Sequence, residues 1–140
     1  MATVTTISNL GYSVEGEIRK YYRRDTTDPP ICATLKRSNL HPIDMSDVSS
    51  ITFSMRAYGD VYATAIVDRR NCTVMNATQA QVCYYWSPTD LDAVGVYSAQ
   101  FNVTYNSTVG ISTAGGYTWR HKQEVFPTNI ELLVVVVESI

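Results

Sequence analysis

Polar and apolar residues alternate one for one along much of this chain. In Ile51-Thr-Phe-Ser-Met-Arg-Ala-Tyr58, Ile51, Phe53, Met55 and Ala57 fall on one face and Thr52, Ser54, Arg56 and Tyr58 on the other. That period of two is the mark of a half-buried strand. It recurs over residues 96–105, where Tyr97, Ala99, Phe101, Val103 and Tyr105 share one side and Ser98, Gln100, Asn102 and Thr104 the other. Residues 31–36, 62–67, 72–75, 81–86, 119–126 and 130–138 are further strands, rich in β-branched and aromatic side chains. Short strands at this spacing predict an all-β sandwich.

Residues 17–24 fit a helical face through Ile18, Tyr21 and Tyr22 as well as a strand, and are read as strand. Asp28-Pro-Pro30 forces an extended turn before the strand at Ile31. Ser87-Pro-Thr-Asp90 reads as a short helical turn, with Ser87 as N-cap and Asp90 reaching back to free N–H groups. Residues 106–118, with Gly110, Gly115 and Gly116 among small polar residues, read as the longest loop. Residues 1–16 are expected to form an N-terminal arm and residues 17–140 the sandwich.

The last strand changes the picture. Ile130, Leu132, Val134 and Val136 suffice for one core face, yet Leu133, Val135 and Val137 make the other face apolar too. A solvated sheet surface does not carry such a row cheaply, so something is expected to cover it. The cover is either another protein surface or the chain's own residues 2–10, whose Thr-rich makeup suits an added strand. A run of eight apolar residues, 130–137, is far short of the ~20 that a spanning helix needs.

Composition adds mainly exclusions. At 140 residues, 45% hydrophobic and 17% charged, the chain is expected to bury a core without metal or disulfide staples. A net charge of −2 gives no basic field for general nucleic-acid binding and no polybasic drive to a membrane. Locally, Arg19-Lys-Tyr-Tyr-Arg-Arg24 interleaves cations with aromatics, and Arg19, Arg23 and Arg24 suit a solvated strand or a docking surface for an acidic partner protein better than a single-stranded nucleic-acid platform. The N-terminus lacks a signal-peptide pattern, so Cys32, Cys72 and Cys83 are expected as free thiols, with a Cys72–Cys83 bridge as the alternative.

Two stretches carry a resemblance. Asp92-Ala-Val-Gly95-Val-Tyr97-Ser-Ala99 resembles the D-x-G-x-Y-x-C corner of immunoglobulin-like domains, with one extra residue before the glycine and Ala99 in the cysteine position. Gly95 would allow a tight turn into the strand, and the Tyr97 hydroxyl would bond a backbone group at the corner. The wider set runs from Arg24-Asp-Thr-Thr-Asp-Pro-Pro30 through Pro42-Ile-Asp-Met-Ser-Asp47 to the strand at Ile51. It continues through Tyr85-Trp-Ser-Pro-Thr-Asp90, Gly95-Val-Tyr97 and Phe101 to Phe126-Pro127. In order and spacing this is similar to the N-terminal immunoglobulin-like domain of the baseplate upper protein family of tailed bacteriophages.

The resemblance implies a structural virion protein, made in the host cytoplasm and present in several copies or as a homo-oligomer. Such a domain docks on other virion proteins and works without cofactor or catalysis. A capsid decoration or neck protein, and a carbohydrate-binding adhesion module using the chain's ten Tyr and two Trp, are the alternatives. His41 and His121 lie in no nucleophile or zinc motif. Asp44 and Asp47 are expected to shape the turn before Ile51 rather than to bind calcium. The sequons at Asn71, Asn76, Asn102 and Asn106 reflect Asn and Thr sharing outward strand faces.

Overall fold

The apolar faces that alternation marks out close on one another from two β-sheets. The computed structural model describes residues 4–8, 17–36, 41–60, 62–127 and 131–138. In chain order its strands are β1 (Val4–Ser8), β2 (Glu17–Arg23), β3 (Ile31–Lys36), β4 (Val48–Ala57) and β5 (Val67–Asn71), followed by β6 (Thr73–Asn76), β7 (Gln81–Tyr84), β8 (Gly95–Thr113), β9 (Gly116–Phe126) and β10 (Glu131–Val137). One sheet has the order β1-β3-β7-β6, the other β2-β10-β8-β4-β5 with β9 also on β8. The fold is therefore an all-β sandwich, as the period of two requires.

Phe53, Phe101 and Val103 from the larger sheet and Ile31, Ala33, Leu35 and Val82 from the smaller are fully buried between them. Tyr84 stacks on Phe53 with ring centroids 4.8 Å apart, and Trp86 meets Phe53 edge-on at 5.6 Å. Tyr22 in turn meets Trp86 at 5.1 Å, so β2 is anchored to the same cluster. Burial, partly offset by Trp86, pushes the Tyr22 phenol up to about 12.

Four local expectations change. Residues 62–66 are turn rather than strand, because Asp60 takes the Tyr62 N–H with its carboxylate and the Ala63 N–H with its carbonyl. Ser87–Asp90 closes as a single turn through Asp90 N–H to Ser87 O. The helical residues among those described are Met45–Asp47, where Asp44 accepts the Ser46 N–H as N-cap. Val4–Ser8, placed in an arm by the sequence reading, pairs parallel with β3 in the smaller sheet. The described part of the N-terminal segment thus adds a strand, but not over β10.

The fourth correction is chemical: Cys32 and Cys83 are bridged and Cys72 alone is free. Register decides this, since antiparallel β3 and β7 place Cys32 directly opposite Cys83. Cys72 sits between β5 and β6, where burial pushes its thiol up to about 12. Thiol titration under denaturing, non-reducing conditions should therefore count one, rising to three after reduction.

Cys72 and Tyr22 are both expected to weaken the fold at alkaline pH. As pH climbs, the unfolded chain loses its Cys72 proton near 9.0 and its Tyr22 proton near 10.0, well before the folded state does. Their contribution is complete below pH 9 and is lost up to about 12. The urea midpoint should fall steadily across that window, and Cys72→Ala should flatten its lower part.

Candidate functional site

Parallel pairing of β2 with β10 brings two separate sequence features onto one face. Arg19 lies opposite Leu133, Tyr21 opposite Val135 and Arg23 opposite Val137. On the other side of β10, Val135 faces Val96 and Leu133 faces Ser98 of β8. Since register partners share a face, the outer surface of the larger sheet carries an apolar strip of Tyr21, Val135, Val96 and Val137. The cations of β2 border it. Tyr21 is 64% exposed, Val137 39% and Val96 37%, and Val135 is half-buried.

Leu133 departs from the expectation. It is 1% exposed, between Arg19 of β2 and Ser98 of β8 in register, and offers no surface to a partner. Val137, at the end of β10, keeps its exposure. Arg24 is turned to the chain's own Glu138 at 2.9 Å, an exposed pair worth roughly 0–1 kcal/mol. Arg19, Arg23, Val135 and Val137 remain as a shared surface, to which the structure adds Tyr21 and Val96. The sequence showed Tyr21 as part of a basic run, and only the strand register reveals that it stands beside Val135.

The Gly95 and Tyr97 corner forms as expected. The Tyr97 hydroxyl donates to Ala93 O at 2.7 Å, and Gly95 takes a φ of 157°, which residues with side chains rarely adopt. Burial, then the Asp92 charge, raises the Tyr97 phenol. Just before this corner, the buried Asp90 carboxylate accepts from the Tyr84 hydroxyl at 2.6 Å, Ser87 N–H at 2.8 Å and Arg70 Nη1 at 3.2 Å. Three segments, β5, the end of β7 and the Ser87–Asp90 turn, are tied together at that one carboxylate.

A second surface lies where a loop was expected. Residues 106–118 continue β8 and β9 as a two-stranded ribbon, closed by a turn at Ala114 and Gly115. The glycines mark a hairpin turn here, with Gly116 at φ 122° and the Thr113 hydroxyl donating to Gly116 O. Gly110 lies opposite Trp119, and a Cβ at Gly110 would come within 3.1 Å of the indole. The indole thus covers the glycine. Tyr117 and Trp119, 73% and 69% exposed, lie with centroids 6.5 Å apart and planes inclined by 30°.

No protein-family model matches the chain, and no curated protein sequence does either. Among solved structures it superposes on the N-terminal domain of phage TP901-1 ORF48 with a TM-score of 0.52 at 14% identity, covering 94% of this chain and 93% of that one. The shared fold spans both chains almost end to end. Among the described residues, no three His, Cys, Asp or Glu side chains gather as metal ligands.

The corner and the carboxylate that precede β8 have separable contributions. Tyr97→Phe should cost about 1 kcal/mol for one lost hydrogen bond. Asp90→Ala should cost about 3 kcal/mol, since it strands the buried Tyr84 hydroxyl and the part-buried Ser87 N–H and removes the ion pair of Arg70, which keeps its bond to Ser87 Oγ. Urea unfolding of each variant measures both.

Proposed function

We propose that the protein is a structural component of a tailed-bacteriophage particle, a non-enzymatic interaction module of its tail or baseplate. The observation that carries this reading is the fold shared with a phage N-terminal domain over 94% of the chain. Its motif order, similar to that of the baseplate upper protein family, points the same way. The strip of Tyr21, Val135, Val96 and Val137, bordered by Arg19 and Arg23, is the surface by which it docks on an acidic neighbouring virion protein. A sugar-binding role asks for aromatic rings that wall a groove, and Tyr117 and Trp119 stand instead on a projecting ribbon.

Purified particles should contain the protein at a fixed multiple of the tail's rotational symmetry, located at the tail end by electron microscopy. Val137→Asp, combined with Tyr21→Ala, should leave the urea midpoint nearly unchanged and reduce incorporation at least tenfold. Particles that lack the protein overturn the proposal. Normal incorporation of a folded double variant removes the docking face from it.

A further inference from the structure

The ribbon is an incomplete sheet. Up to Tyr105, β8 has partners on both edges: β4 on one, and β10 then β9 on the other. The last β4 pairing is Val48 with Tyr105, and beyond it, among the described residues, only β9 accompanies β8. Every residue from 106 to 123 is exposed. A two-stranded ribbon is marginal in water, and three or more strands are usually needed to hold such a structure.

Its base is nonetheless fixed in direction. Asp47 accepts both the N–H and the hydroxyl of Ser107, and His121 Nδ1 lies 3.0 Å from Tyr105 O. The Lys122 ammonium sits 5.7 Å from the centre of the Tyr105 ring. These contacts hold the base of the ribbon to the sandwich.

The two edges of the ribbon differ in charge. Thr108-Val-Gly-Ile-Ser-Thr113 on β8 has no charged residue and no proline, the usual guards of an open edge. Across the ribbon, β9 carries Arg120, His121 and Lys122, with no carboxylate between residues 106 and 122 to neutralise them. A second copy meeting the β9 edge would bring these cations against their own images. At the β8 edge, neutral meets neutral, and the two β9 strands end up three strand spacings apart, roughly 14 Å, beyond a Debye length.

We propose that the open β8 edge, Thr108 to Thr113, pairs antiparallel with the same edge of a second copy of this chain about a twofold axis. The two ribbons then form one four-stranded sheet. Faces match across such an axis only in registers that put residues of the same face opposite each other. The register centred on Gly110 places Val109 of each copy opposite Ile111 of the other, giving two apolar pairs on one face. On the other face a row of Trp119, Gly110, Gly110 and Trp119 crosses the sheet, and the central glycines leave room for both indoles. This pairing stands independently of whether the protein belongs to a phage particle.

The full chain should elute, with light scattering, at twice its 15.6 kDa mass from ~1 to ~100 μM. Ile111→Lys should halve that mass while leaving the thermal midpoint of the sandwich in place. Adding Val109→Glu to Ile111→Lys sets opposite charges across the axis and should restore the dimer. A monomer at every concentration overturns the proposal, including one that gains a partner strand only from a different protein. A dimer that survives Ile111→Lys places the interface elsewhere, and failure of the double variant to restore it overturns the Gly110-centred pairing.

Discussion

The ring of Phe53 has neighbours on every side that matter to the architecture. It projects from β4 in the larger sheet, stacks on Tyr84 of the smaller sheet, and touches Phe101 on the adjoining β8 and Trp86 just beyond β7. Aromatic pairs add roughly 0.5–1.5 kcal/mol each to the burial itself, so this one position couples both layers. The polar atoms at the cluster's rim are also used. The Trp86 indole N–H donates to Pro29 O, and the Tyr84 hydroxyl to Asp90. The Asp28-Pro-Pro30 turn and the Ser87–Asp90 turn are thus held by the same aromatic group that closes the sandwich.

The outer face inherits its arrangement from that core. Tyr22 is locked against Trp86, so strand alternation turns Arg19, Tyr21 and Arg23 outward. Parallel pairing with β10 then sets them beside Val135 and Val137. A change in the core that let β2 shift by one residue would exchange Tyr21 for Tyr22 and erase the strip. The composition of this outer face and the packing of the core are therefore the same decision read on opposite sides of one strand.

What was legible in the sequence was whatever depends on local period and local turns. The alternation at Ile51 to Ala57 and from Val96 onward gave correct faces, and Gly95 with Tyr97 formed the anticipated corner. What was not legible depends on which strands become neighbours. Cys32 bridges Cys83 because β3 pairs with β7, a contact spanning 51 residues of sequence that no local pattern encodes. Leu133 is buried while Val135, on the same face of the same strand, is half-buried, and the difference lies in the partners that the register sets beside each: Arg19 and Ser98 for Leu133, Tyr21 and Val96 for Val135. The ribbon was hidden for another reason: Gly110, Gly115 and Gly116 are loop signals by composition, whereas Gly110 is a strand residue roofed by Trp119 across the hairpin.

The edges of the larger sheet show how unusual the distal part of β8 is. The β2 edge carries Arg19, Lys20 and Arg23, and the β5 edge carries Asp68, Arg69 and Arg70, charges that make uninvited strand pairing unfavourable. Along β8 itself the first half is sealed by β4 and β10, and Asp47 caps Ser107 where β4 stops. Past that cap six neutral residues run out to the turn. Alternation still operates there, since Val109 and Ile111 share a face and Tyr117 and Trp119 share the other with Gly110. Among the described residues the ribbon has the pattern of a buried strand pair without the neighbours that would bury it. In a chain whose other large-sheet edges are charged, that combination is what favours the edge pairing proposed above.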